Sequence, residues 1–190
     1  MPTKNTVQPE TQLIFRSTSF SPTAANDLER GTATGYDMTL GNVSDGAYRQ
    51  AVKADVSVTT GGDLPDEIAV SMCVEFGSAP TAGEACYVYA CPSDISTAGS
   101  GNGGGTNGTD AAYTGINSNA GDSIKQCKLI GTLALTTNTG QQVGIDIGRY
   151  RPNQRYVNIV FRNESGVTTS TNQDEHHIVL DPLVSEAQTT

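Results

Sequence analysis

The chain has 190 residues, 36% of them hydrophobic and 16% charged, with 21 Gly and 8 Pro. That length makes one ordinary domain, and the neutral, turn-rich composition excludes both a highly charged disordered chain and a helical bundle. Lys and Arg number 11 against 20 Asp and Glu, a net charge of -9; such a surface repels phosphate, which argues against nucleic acid and anionic membranes as partners.

The first residues, Met1 to Thr11, are polar and include Pro2 and Pro9. They lack the apolar core of a signal peptide. The segment is expected to be a flexible arm, followed by a single domain over 12–190. The longest apolar stretch, Leu129 to Leu135, is far too short to cross a bilayer. Leu13 to Arg16 is a short strand candidate. A helix is expected next: Ser21 is placed to cap it, Pro22 to open it and Gly31 to end it, with Ala24, Ala25 and Leu28 suiting two turns. An ordered loop is the alternative there. Tyr36 to Leu40 is a second short strand.

Period-two alternation then dominates. Val52, Ala54, Val56 and Val58 alternate with Lys53, Asp55 and Ser57. Ile68, Val70, Met72, Val74 and Phe76 form one face of the next strand. Cys86 to Ala90 is a shorter run. Cys127, Leu129, Gly131, Leu133 and Leu135 share a face, as do Val143, Ile145 and Ile147, then Val157, Ile159 and Phe161, then His176, Ile178 and Leu180. Such runs are half-buried antiparallel strands. Turn signals at 60–65, 78–83, 137–140, 151–154 and 163–166 separate them. The expected fold is an all-β antiparallel sandwich of jelly-roll type. Strand order is not readable from the pattern.

The exception to short turns is a Gly-rich loop over 92–124. A loop of that length is functional or mobile in most compact domains. Gly99, Gly101 and Gly104 match a dinucleotide fingerprint in spacing, but no strand–helix unit surrounds them. Asp94, Asn102, Asn107, Asp110, Asn117, Asn119 and Asp122 offer oxygen donors without an EF-hand spacing; turn residues bonded to their own backbone are the simpler reading. Sequons stand at Asn42, Asn107 and Asn163, as expected by accident in an Asn- and Thr-rich chain.

Four cysteines occur: Cys73, Cys86, Cys91 and Cys127. Their spacing argues against zinc. Cys86 and Cys91 have opposite parity in one run, so they point to opposite faces; all four read as small buried residues. His176 and His177, the two histidines of the chain, also point apart, one toward the core and one toward solvent or a partner. No catalytic, metal or cofactor site is assigned, and no enzymatic activity is expected. Arg149, Arg151, Arg155 and Arg162 gather in sequence and suit carboxylates on a partner subunit; pairing with the chain's own acids is the alternative.

Five segments look familiar together: Tyr48 to Asp55, Thr109 to Gly115, Ser123 to Gly131, Tyr156 to Gly166, and Leu180 to Ala187. Over about residues 45 to 187 the arrangement resembles small jelly-roll structural proteins of tailed bacteriophages, of the capsid decoration or cement type. The resemblance transfers no functional residue. It implies a non-enzymatic virion protein on the capsid surface, assembled in the host cytoplasm with its thiols reduced. It implies the major capsid protein as partner, and self-association, as a trimer before a dimer. A phage tail or fibre component, or a carbohydrate-binding sandwich using Tyr87, Tyr89 or Tyr113, is the alternative. Candidate partner contacts are Val7 and Leu13 as anchors of the arm, Arg149, Arg151 and Arg155, and Tyr113.

Overall fold

The computed structural model describes residues 4–9, 11–59 and 63–188. Strands hold 43% of the chain and helical turns 9%. The strands are β1 (Lys4–Pro9), β2 (Gln12–Arg16), β3 (Ala33–Asp37), β4 (Tyr48–Gln50), β5 (Ala54–Asp55) and β6 (Glu67–Phe76), then β7 (Ala85–Ser93), β8 (Ala111–Ala112), β9 (Lys128–Ala134), β10 (Gly140–Tyr150), β11 (Tyr156–Glu164) and β12 (His177–Gln188).

They form two sheets. The first runs β10-β6-β12-β2-β3, with β1 also on β12; the second runs β8-β4-β11-β7-β9, with β5 also on β11. Set aside β1, β3, β5 and β8, and the sheets read β2-β12-β6-β10 and β4-β11-β7-β9. Those eight strands cross between sheets in the order of a jelly roll. All pairs are antiparallel except β2 with β3, which are parallel in register Gln12↔Ala33 to Arg16↔Asp37.

Most of the alternating residues meet between the sheets as the sequence predicts; the face shared by Leu129, Gly131, Leu133 and Leu135 is broken, because a register shift at Val88/Tyr89 leaves Leu129 47% exposed and buries Ile130. Leu13 and Phe15, Val70 to Phe76 at even positions, Cys86 and Val88, Val157, Ile159 and Phe161, and Ile178 and Leu180 all lie in one core. Each large side chain there contributes about 1.5 to 3 kcal/mol by leaving water. Cys86 and Cys91 do point to opposite sides: Cys86 joins this core, while Cys91 joins a second cluster with Tyr113, Ile124 and Val160.

Residues 4–9, read from sequence as part of the arm, form a strand on their own chain. β1 lies along the far end of β12, from Lys4↔Gln188 to Pro9↔Leu183, and β2 continues along the near end. Residues 1–3 and 10 of the expected arm, and the Val7 side chain, lie outside the described residues.

Three further expectations need correction here. The helix over 21–31 is absent; a single turn closes at Asn26 and Asp27 onto the Thr23 carbonyl. Tertiary partners outcompete helical ones here, because Glu175 accepts from the Thr23 amide and His177 from the Leu28 amide. The long strand expected from Val52 to Val58 breaks into β5 and a 3-10 turn, Val56–Thr59. Its preceding amides go to three different elements: Ala51 to the Ile159 carbonyl, Val52 to Asp37 and Lys53 to Gly108.

The shared face of Val143, Ile145 and Ile147 is also split. Gly144 lies opposite Met72 and Gly148 opposite Val70. Three residues of β10 therefore oppose Ser71 alone, and Asp146 takes a φ of 55°. This bulge turns Ile147 inward and leaves Ile145 75% exposed. Gly144 makes room for this turn: a Cβ there would lie 2.4 Å from the Ile147 side chain, which would have to move.

Candidate functional site

Each sheet has an outer face, and each face carries an irregular segment. Over the first sheet lies the connection from β2 to β3, residues 17–32, called here the strap. Parallel neighbours need a long crossover, and this one is held by side chains of β2, β12 and the residues before β12. The Ser21 amide donates to the Asp174 carbonyl at 3.2 Å. Glu175, 4% exposed, accepts from the Thr23 amide at 3.0 Å and the Asn26 side-chain amide at 3.2 Å. Arg16 pairs with Glu29 at 2.8 Å. The Arg30 amide donates to the Gln12 side chain, and the Arg30 guanidinium pairs with buried Asp181.

The two histidines sit here, and of the two it is His177 that bonds the strap; His176 bonds Glu75 and Ser170. Both are fully buried, which corrects the expectation that one faces solvent. His177 Nε2 accepts from the Leu28 amide at 3.2 Å, so its proton sits on Nδ1, 2.9 Å from the Glu175 carbonyl. Phe20 meets the His177 ring edge-on at 4.8 Å. His176 Nδ1 accepts from the Glu75 amide at 3.1 Å, and Nε2 donates to the Ser170 carbonyl. Both rings are therefore neutral. Burial drives the His176 pKa down to about 4 and lowers that of His177. Burial, with Glu175 nearby, raises the Glu75 carboxyl.

Over the second sheet lies the 92–124 loop, extended by the turns up to Cys127. It is built, not slack. A disulfide joins Cys91 in β7 to Cys127, 36 residues on. This corrects the expectation of four reduced thiols; Cys73 and Cys86 remain free and buried. The Tyr113 hydroxyl donates to the Gly104 carbonyl at 2.6 Å. Gly108 has a φ of +69°, and a Cβ there would sit 2.2 Å from the Ala98 carbonyl oxygen. Its glycines thus permit close approach.

Lys53 closes the loop from beneath. It is 8% exposed. Its ammonium shares three N–H groups among four acceptors, the Ser93 hydroxyl at 3.0 Å and the carbonyls of Ile95, Thr97 and Ser100 at 2.8, 2.6 and 2.8 Å. Burial lowers its pKa, opposed by the charge of Asp94. Nothing in the alternating run around Lys53 separates it from a solvent-facing lysine, so sequence reasoning missed it.

Several of the loop's oxygen donors are spent within the molecule, while the buried Asn102 Oδ1 has no hydrogen-bond partner among the described residues. Asp110 accepts from Thr39 and Arg49, Asn107 from Thr109, and Asp122 pairs with Lys125. Among the described residues no group of three His, Cys, Asp or Glu could hold a metal ion.

The candidate contacts are scattered. Leu13 is 0% exposed and Tyr113 3%; one fills the core and the other is sealed under the loop, so neither is offered at the surface. The arginines divide because β10 and β11 belong to different sheets. Arg149 pairs with Asp146 and Glu67, and Arg151 with Glu67. Arg155 pairs with Asp55 at 2.8 Å and stacks on Tyr156; burial would raise the Asp55 carboxyl, but Arg155 and Ser57 outweigh it and hold it below its usual value. Arg162 pairs with Glu164 and lies over the Tyr48 ring. Of the tyrosine platforms, Tyr87 and Tyr89 remain half-buried on β7.

No helix among the described residues is long and apolar enough to cross a membrane. No family model, curated protein or solved structure matches the chain. What the geometry defines is a class: a jelly-roll sandwich with both outer faces overlaid by fastened segments.

Proposed function

We propose that the protein is a non-enzymatic structural component of a virion, a decoration protein that binds the major capsid protein and stabilises the shell. The observation that carries this reading is the fastening of both overlying segments. A protein that docks repeatedly on a lattice gains affinity when its surface is ordered beforehand, because little entropy is then lost on binding. The titratable groups support it too. His176, His177, Glu175 and Lys53 are all engaged in internal hydrogen bonds. The Cys91–Cys127 disulfide suits a protein that ends its life on a particle surface, where disulfides persist. The carbohydrate-binding alternative loses its Tyr113 platform to burial.

The test is binding of the purified protein to purified shells of the same virus, with shell melting followed in parallel. Saturable occupancy with a raised melting temperature supports the reading. Binding to a glycan array with no binding to shells replaces it with the lectin reading.

A further inference from the structure

The outer face of the first sheet carries a groove beside the β10 bulge. Its floor is Ala69, Ser71 and Leu183, and Ile145 stands at its wall. The hollow measures about 370 Å³. A smaller one of about 170 Å³ lies on the strap side of Ile145, floored by Ser71 and Val179. A strongly exposed isoleucine thus projects between two hollows of mixed lining, the larger one rimmed by Arg30, Asp146, Arg149 and Asp181 around its apolar residues. The bulge that projects it is a built feature: Asp146 adopts a positive φ, its amide donates to Ser71 Oγ at 3.1 Å, and its carboxylate holds Arg149 at 2.5 Å.

We propose that this face is a two-fold contact between two copies of the chain, with Ile145 of each copy seated in the groove of the other. Two features select a second copy as the occupant. A knob and a hollow side by side on one patch are what an isologous interface requires, since each copy must supply both. The charges around the groove are also self-complementary. Arg30, Arg149 and Arg151 stand among Glu67, Asp146 and Asp181, a balanced set on a chain of net charge -9. These arginines and carboxylates pair within one chain, and across a two-fold axis arginines of one copy can also face carboxylates of the other. The geometry favours two copies where the family resemblance implies three. The contact does not depend on what the protein binds as a virion component.

The experiment is sedimentation equilibrium on the wild type, Ile145→Asp, Arg149→Glu and Ile95→Asp across a concentration series. Ile95 is the control, an apolar side chain 43% exposed on the opposite loop. Circular dichroism and melting verify that each variant folds; Ile145 is too exposed to matter to the core. The expected result is a wild-type dimer, retained by Ile95→Asp, weakened at least tenfold by Arg149→Glu and lost in Ile145→Asp. A wild type that is monomeric at every concentration overturns the proposal. So does a dimer that survives Ile145→Asp, or a trimer. A monomer whose shell binding is abolished by Ile145→Asp also overturns it and assigns the face to a different protein.

Discussion

The strap and the loop solve one problem with different chemistry. Each is a long irregular segment laid over the outer face of a sheet, and each must satisfy backbone groups that a strand or helix would pair automatically. The loop is fastened by a covalent bond, by a buried ammonium among carbonyls and by glycines that let backbones touch. The strap is fastened by a buried imidazole, His177, and by the carboxylates of Glu175, Glu29 and Asp181; burial lowers the His177 pKa. The disulfide makes the first the segment expected to loosen with reductant, and the buried neutral His177 makes the second the segment expected to loosen in mild acid.

That contrast can be broken from either side. The largest expected effect is on the loop. Cys91→Ser with Cys127→Ser releases a closure of 36 residues, which costs about 4 kcal/mol by chain entropy; denaturant unfolding with and without reductant measures it. Next comes acid. Unfolded histidine protonates near 6.5, while folded His176 does so only near 4. Between those values the unfolded chain binds more protons, so stability falls as pH drops through that window, by about 3 kcal/mol for His176 alone. The raised Glu75 works the other way, in the carboxylate range just above its ordinary value, and blunts the fall at its lower end. Melting temperatures across that window test the sign; a flat profile would remove the histidines from the account.

Smaller effects sharpen the comparison. Lys53→Met removes the ammonium shared by the carbonyls of Ile95, Thr97 and Ser100, leaving them the Ser93 hydroxyl and the Ser100 amide, and is expected to cost about 1 to 2 kcal/mol. Its signature is faster proteolysis within 93–105 and no change in the acid profile. Gly108→Ala combines a positive φ with a clash against Ala98; it is expected to cost about 1 to 2 kcal/mol, seen as a lowered denaturant midpoint.

Much of the sandwich was legible in the sequence, because burial on one face writes itself as alternation. Ile68 to Phe76 and Val157 to Phe161 lie where their period places them. The pattern failed where side chains and backbone leave the sheet. At 51–53 the amides turn to three other elements, and around Ile145 three residues oppose Ser71 alone, so that Ile147 turns inward while Val143 and Ile145 stay exposed. The strap resembled a helix because capping residues and Ala favour one; Glu175 and His177, about 150 residues away, offer stronger partners. Of the features around the loop, one had a readable signal: Cys91 and Cys127 bracket the glycine-rich stretch, as a clasp would. Lys53 had none, since its partners are carbonyls that every residue carries.

The most direct test of this division is hydrogen exchange with fragment resolution, comparing residues 17–32 with 92–127. Protection would be followed at pH 7, at about pH 5 where free histidine is protonated, and at pH 7 with reductant, each corrected for intrinsic exchange rates. The account predicts that acid lowers protection in 17–32 and spares 92–127, while reductant does the opposite. Loss of protection in both segments together, under either treatment, would show that they open as one unit and would contradict it.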